Sequence, residues 1–370
     1  MDFKSKALEE LSAKRSALSS KTGLVGFDGF IDRIRRPVGQ RFGAGDDFAP
    51  IETITEFGER ILRAAGKSTN IELYPVAERL GGNGPILTQA LLAAGLKVRY
   101  IGALGKPEIH PIFQDLADKS DAISIADPSI SHNLEFTDGK IMLGELATLD
   151  DISYEGMIEQ IGDGVFLDLF SRMDLIALMN WTMIPKMSRI LQSLLDRVFP
   201  VLPPRDQRIF FFDLCDPAKR SVSDIRSVLS TISRFQEWGS VTLGLNLKEG
   251  HEIARALEIA TEEPDEAGLR RLTSRIRQKL QIDTVVIHPV DSAACATRGD
   301  SWWIPGPFTE KPWTTTGGGD HFNAGFCLGQ LMEASPRTSL TAGVGASGYF
   351  VRTGKSPSLS DIDHFLRQWK

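Results

Sequence analysis

The segment Thr314-Thr315-Thr316-Gly317-Gly318-Gly319-Asp320-His321-Phe322-Asn323 carries the densest chemistry in the chain. Gly317, Gly318 and Gly319 strip the backbone of side chains just ahead of an apolar helix, so several N–H groups can converge on one anion. Asp320 then serves either as an ordinary N-terminal acid stabilised by those amides or as a carboxylate that takes a proton from an attacking hydroxyl. Asn246 and Glu249 stand three residues apart after the apolar run Val241–Leu245. They read either as a helix cap with its capping-box partner or as a pair holding a hydrated Mg²⁺.

Two further stretches suit a hydroxyl-rich ligand. Gly81-Gly82-Asn83-Gly84-Pro85 precedes an apolar helix; the glycines allow close approach to backbone and Asn83 adds donors and an acceptor. The same residues also make a tight turn with proline in the first helical turn. Asp28 and Asp32, in or just after the first apolar strand, lie where open α/β sheets bind ligands, although Asp32 could equally pair with Arg33 at the surface.

These segments need a scaffold that gathers strand ends and helix starts. Apolar runs at Leu24–Ile31, Val98–Ala103, Leu175–Asn180, Arg208–Leu214, Val241–Leu245 and Asp283–His288 alternate with amphipathic stretches at 51–65, 84–94, 185–198, 222–237, 248–260, 265–280, 320–333 and 337–350. That rhythm predicts an α/β fold with a mainly parallel sheet. Residues 1–22 read as an amphipathic helical extension. The proline-rich segment 199–206 reads as a helix-to-strand loop. Between 121 and 149 the rhythm breaks into short strands, Ala122–Ala126, Asn133–Phe136 and Ile141–Leu146, with a turn at Thr137–Lys140. Together with Ile71–Ala77 they are expected to form a small sheet outside the main one.

Composition narrows the function classes. The 370 residues are 42% hydrophobic and 24% charged, with a net charge of −6, so no general basic footprint for nucleic acid exists. The three cysteines are too dispersed for a disulfide framework or a zinc site, which fits a reducing cytoplasmic setting. Charges interrupt both the N-terminal segment and the apolar stretch 165–183, arguing against a secretion signal and a membrane span.

In order and spacing, Gly81-Gly82, Gly84, Thr88, Gly95 and Gly105, then Asn246 and Glu249, then Thr315, Gly317–Asp320, Ala324 and Gly325 resemble the PfkB/ribokinase family of carbohydrate kinases, from about residue 24 to the C-terminus. The resemblance implies a ribokinase-like three-layer αβα sandwich with a small β lid built from about 71–78 and 121–149. It implies ATP- and Mg²⁺-dependent phosphorylation of a sugar hydroxyl, with Asp320 as base, Gly317–Gly319 as anion hole, and Asn246 and Glu249 organising Mg²⁺ around ATP. Asn323 is placed with the cofactor. Asp28, Asp32, Gly81, Gly82 and Asn83 are placed with the sugar, joined from the lid by His132, Asn133 and Glu135. A homodimer through the lid sheet is expected.

Several positions depart from the family pattern. Ile86 replaces an asparagine that contacts sugar. Thr314 replaces an acid of the monovalent-cation site, arguing against a K⁺ requirement. Val290 and Ala293 replace glycines of the nucleotide-side turn. A kinase-fold protein that binds sugar or nucleoside without phosphorylating it is therefore a competing reading. A dinucleotide-dependent dehydrogenase is disfavoured, because Leu87 stands where Gly-x-Gly-x-x-Gly needs its third glycine.

Overall fold

In the computed structural model, which describes residues 3–203, 205 and 207–369, the apolar runs become the strands of one large sheet and the irregular stretches supply a second, smaller one. In chain order the strands are β1 (Thr22–Phe27), β2 (Phe30–Arg41), β3 (Phe48–Pro50), β4 (Leu73–Gly81), β5 (Lys97–Ala103), β6 (Ile123–Ala126) and β7 (Ser129–Phe136). They continue with β8 (Gly139–Glu145), β9 (Leu175–Met179), β10 (Ile209–Asp213), β11 (Ser240–Asn246), β12 (Thr284–His288), β13 (Ser292–Ala296) and β14 (Ser301–Pro305). The large sheet has the order β14-β13-β12-β11-β10-β9-β1-β5-β6. It is parallel from β12 through β6, with an antiparallel edge at β13 and β14.

Helices cover both faces of this sheet, so its central strands are apolar throughout rather than alternating. In β10 every residue of Ile-Phe-Phe-Phe-Asp is buried. Phe210 and Phe212 point into the cluster containing Phe199 and Phe235, while Phe211 points to the other face beside Leu328 and Leu331. The helices Asn83–Ala93 and Gly318–Leu331 pack on that second face and both begin at the C-terminal edge of the parallel strands. That edge is where ligands sit in open α/β sheets. The N-terminal segment forms the helix Phe3–Lys14; Met1 and Asp2 lie outside the described residues. In the loop 199–206, Phe199–Val201 makes a short 3₁₀ turn, and Pro204 and Asp206 lie outside the described residues.

Two expectations need correction. Leu24–Ile31 is not one core strand. The chain leaves the large sheet after Phe27 and re-enters extended structure at Phe30 as β2, the centre of the small sheet, pairing with β3, β4 and β7. Ala122–Ala126 does not join the small sheet; β6 extends the large one beside β5. Both follow from strand pairing, which short apolar runs do not encode. The hairpin through Thr137 and Asp138 joins β7 to β8 in antiparallel register.

Candidate active site

The site grows from the break between the two sheets. Asp28 sits in that break with 0% exposure. Its carboxylate accepts the backbone N–H groups of Asn83 and Gly84, each at 2.9 Å, and Nδ2 of Asn180 at 2.8 Å. The helix Asn83–Ala93 begins at Gly82, whose φ of +97° is open to glycine and whose lack of a side chain leaves the first amides uncapped. Asp28 supplies the missing cap from 55 residues away. Burial raises its pKa while those three donors lower it. Asp28, expected as a sugar contact, is corrected to a positioning residue: its oxygens are occupied and closed to solvent.

Asp32 lies on β2 opposite Arg79 of β4 and Ser131 of β7. The glycine at 81 is a requirement of this geometry, since a Cβ there would fall 2.5 Å from the Asp32 carboxyl carbon. Burial raises the Asp32 pKa, opposed by a hydrogen bond from Asn133 and the charges of Lys140 and Arg79. Strand alternation sorts the residues expected from the lid. Asn133 and Glu135 share the Asp32 face, and Lys140 stands opposite Glu135. His132 is on the other face, bound to Glu145 at 2.7 Å, and is corrected to a residue outside the site.

The glycine turn closes the site from the opposite side. Gly317 has φ +91° and begins the helix Gly318–Leu331 without a side-chain cap. The Gly318 amide donates to Thr315 O and the His321 amide to Gly317 O. The amides of Gly317, Gly319 and Asp320 are left without a protein acceptor among the described residues. Ile86 packs below the turn, 3.3 Å from where a Gly317 Cβ would be. His321 stacks on Phe350 with ring centroids 3.6 Å apart. Burial lowers its pKa to about 4, so the ring is neutral: Nδ1 donates to Gly317 O at 2.7 Å and Nε2 accepts from Ser356 at 2.9 Å. His321 thus fixes the turn from behind.

Asp320, 7% exposed, occupies the first helical turn, with Oδ1 accepting from Asn83 Nδ2 at 3.1 Å. Its pKa is raised well above the usual carboxylate range, chiefly by burial and then by Asp213, against the Asn83 hydrogen bond. Asp213, at the end of β10, is itself pushed up to about 8 by burial and by Glu249. It holds Asn323 Nδ2 at 2.9 Å. Asn323, placed with the cofactor on sequence grounds, is 1% exposed and faces this buried acid; it is corrected to a support for Asp213.

Asn246 and Glu249 form a complete capping box. Glu249 accepts the amides of Asn246 at 2.9 Å and Asp216 at 3.0 Å, and burial raises its pKa. One bond on each carboxylate oxygen leaves lone pairs available. Among the described residues no group of three or more acidic, His or Cys side chains is assembled to hold a metal directly. This oxygen donor pair therefore fits a hydrated Mg²⁺ reached through water. Beside it, a cleft of about 470 Å³ is lined by Asn246, His288, Val290, Phe308, Gly318 and Gly319. Val290 and Phe308 are 86% and 56% exposed there.

Sequence reasoning passed over Asn180, Asp213 and Lys140. The first two each end or follow an apolar strand at the ligand edge of the sheet, a signal that could have found them. Lys140, whose ammonium donates to Thr316 Oγ1 at 2.5 Å, had no such signal. Arg220 donates to the carbonyls of Trp181, Thr182 and Ile184.

Residues 6–369 match the family model of prokaryotic ketohexokinase. A ketohexokinase from Haloferax volcanii is 27% identical over 344 residues, covering 92% of this chain and 90% of that protein. A carbohydrate kinase from Agrobacterium tumefaciens superposes with a TM-score of 0.63 at 14% identity, over 94% of this chain and 97% of its own. The nucleoside kinase of Methanocaldococcus jannaschii, an archaeal ribokinase-family member, gives 0.63 at 10% identity over 94% and 98%. Ribokinase from Cryptococcus neoformans, solved with ADP, gives 0.61 at 15% identity over 93% and 99%. The chain belongs to the prokaryotic ketohexokinase family, within the ribokinase-like (PfkB) fold, and is a carbohydrate kinase.

Proposed function

We propose that the protein transfers the γ-phosphoryl group of ATP to a hydroxyl of a ketohexose, with Asp320 as general base. The observation that carries this reading is the position of Asp320: a buried carboxylate beside uncommitted amides, next in sequence to Gly318 and Gly319 of the cleft and tied by Asn83 to the glycine-rich start that packs on Asp32. Asp320 accepts the hydroxyl proton, and the glycine-turn amides stabilise charge on the phosphoryl oxygens. Asp32, Glu135 and the glycine-rich start at Gly81, Gly82 and Asn83 orient the acceptor, with the buried Asn133 holding Asp32 in place. ATP occupies the cleft. Asn246 and Glu249 would hold Mg²⁺ through water, and bound with ATP it neutralises phosphate charge. The small sheet acts as a lid that excludes water. Its exposed Val76, Met142 and Leu143 support self-association through the same sheet, which a solution mass by light scattering checks. The cytoplasmic setting rests on cysteines that stay unpaired.

The test is ADP release over D-fructose, D-tagatose, L-sorbose and D-psicose, with D-glucose, D-ribose and adenosine as comparison, beside Asp320→Asn. Turnover of at least one ketohexose, lost by 10³-fold or more in the variant, is expected. Preference for an aldose or nucleoside replaces the substrate. Turnover that survives in D320N removes Asp320 as the base, and binding by calorimetry without turnover favours a binding protein. With Thr314 in place of an acid, equal rates in Na⁺ and K⁺ are expected.

A further inference from the structure

Lys140 is the one basic side chain that bridges the acceptor face to the phosphate turn among the described residues. It lies on β8 just past the hairpin turn, opposite Glu135 and close enough to Asp32 to lower its pKa. The tip of that hairpin is anchored: Thr137 donates through its amide and its hydroxyl to Glu52 O, each at 2.8 Å, and Asp138 Oδ1 accepts from Ile54 N at 2.8 Å. A Cβ at Gly139 would come 2.9 Å from Ile54 Cδ1, so the backbone beside Lys140 is also packed. From this support the ammonium crosses 176 positions of sequence to Thr316, the residue before the glycine turn.

The partner it finds there is a neutral hydroxyl. No carboxylate forms an ion pair with Lys140 among the described residues. An ammonium has three donors, and a phosphoryl oxygen is a stronger, charge-assisted acceptor than a threonine hydroxyl. The surroundings need such a charge. Asp28, Asp213 and Glu249 crowd Asp320, so a γ-phosphoryl group arriving there enters a cluster of acids with only the turn amides to meet its charge. Of the other cations nearby, Lys248 is paired with Asp216 at 2.8 Å, and Arg79 stands opposite Asp32 on β4 with no hydrogen bond to the phosphate turn among the described residues.

We propose that Lys140 is a catalytic residue whose ammonium leaves Thr316 Oγ1 and binds the transferred phosphoryl group from the acceptor side. The sugar hydroxyl oxygen forms its bond to the γ-phosphorus as the bond from that phosphorus to the bridging oxygen breaks. The electron pair leaves with ADP and the hydroxyl proton goes to Asp320. Lys140 makes or breaks no covalent bond. This rests on the ATP-dependent reading above and adds a cation to it.

The experiment compares wild type, Lys140→Met, Lys140→Arg and Thr316→Val with the ketohexose that wild type turns over fastest. It also measures calorimetric ADP affinity and inhibition by ADP with aluminium fluoride and sugar. K140M is expected to lose about 100-fold or more in kcat with sugar KM and ADP affinity within about threefold. It should lose the tight aluminium fluoride complex to a similar degree. K140R should recover at least about tenfold in kcat, since a second cation restores the charge. Losses in T316V as large as in K140M, with no recovery in K140R, would make Lys140 a latch between hairpin and turn and overturn the proposal, as would a K140M enzyme with wild-type kcat. A wild type that turns over none of the sugars or adenosine fails the reading beneath it and this proposal with it; where an aldose or nucleoside is the substrate, the same comparison is made with that compound.

Discussion

Asn83 and Asp320, 237 positions apart, meet through a 3.1 Å hydrogen bond from Nδ2 to Oδ1 that ties together the first turns of two helices on one face of the large sheet. The bond stabilises the ionised form of a carboxylate that burial and neighbouring acids push toward protonation. The helix start nearest the acceptor face thereby tunes the residue assigned to take its proton.

Activity should rise with pH through the Asp320 pKa, because the base works only when ionised. The acid limb of kcat/KM is therefore expected above the ordinary carboxylate range. Asn83→Ala removes the one side-chain donor that lowers this pKa, so the limb should move to still higher pH. A pH–rate profile checks both statements, and an acid limb that stays in place in N83A contradicts the role given to Asn83.

Gly81→Ala places a methyl group 2.5 Å from the Asp32 carboxyl carbon and 2.6 Å from Oδ1. The carboxylate must turn away, so sugar KM should rise about tenfold or more, with kcat changed less. Gly58→Ala is the control: it lies in the helix Ile54–Leu62 with no atom within 4 Å of the new methyl. G58A should keep wild-type kinetics and gain roughly 0.5–1 kcal/mol of stability. Steady-state kinetics and thermal melts separate the two effects.

Asp28→Ala leaves two backbone amides and the Asn180 side chain without their acceptor inside the protein. A loss of about 2–4 kcal/mol is expected in urea unfolding. Activity should fall further than stability predicts, because Asn83 then loses its backbone anchor while Asp320 still depends on its side chain. A variant as stable as wild type would show that Asp28 does not hold this helix start.

His321 is buried and His288 half-buried at the cleft, and desolvation lowers each pKa from 6.5 to about 4. Between those pH values the unfolded chain takes up protons at these two sites that the folded chain refuses, so the histidine contribution to stability falls as pH drops from about 6.5 to about 4, while buried acids such as Asp213, raised to about 8, contribute in the opposite sense. Denaturant midpoints across this window check the slope. The midpoint of wild type relative to His321→Asn should fall as pH drops through this window, since only wild type carries that histidine.

Local patterns in the sequence were enough for the α/β class, for most of the helices and strands, and for the segments that border the site. Three glycines before Asp320, a paired Asn246 and Glu249, and glycines 81 and 82 restrict backbone conformation by their own chemistry, wherever the rest of the chain goes. What each neighbouring side chain does was settled by contacts distant in sequence. Asp28 became a helix cap because the chain changes sheets beside it, and β6 stayed in the large sheet because β5 offered it a free edge. His132 turned away from Asp32 because strand alternation follows register, which is set by the partner strand. Asn323 turned inward because Asp213 waits beneath its helix, and Lys140 reached Thr316 because a hairpin anchored on Glu52 and Ile54 carried it there. Periodicity and turn chemistry are properties of a few consecutive residues. Register, the choice of sheet and the pairing of side chains across 237 positions arise only when the packed elements meet.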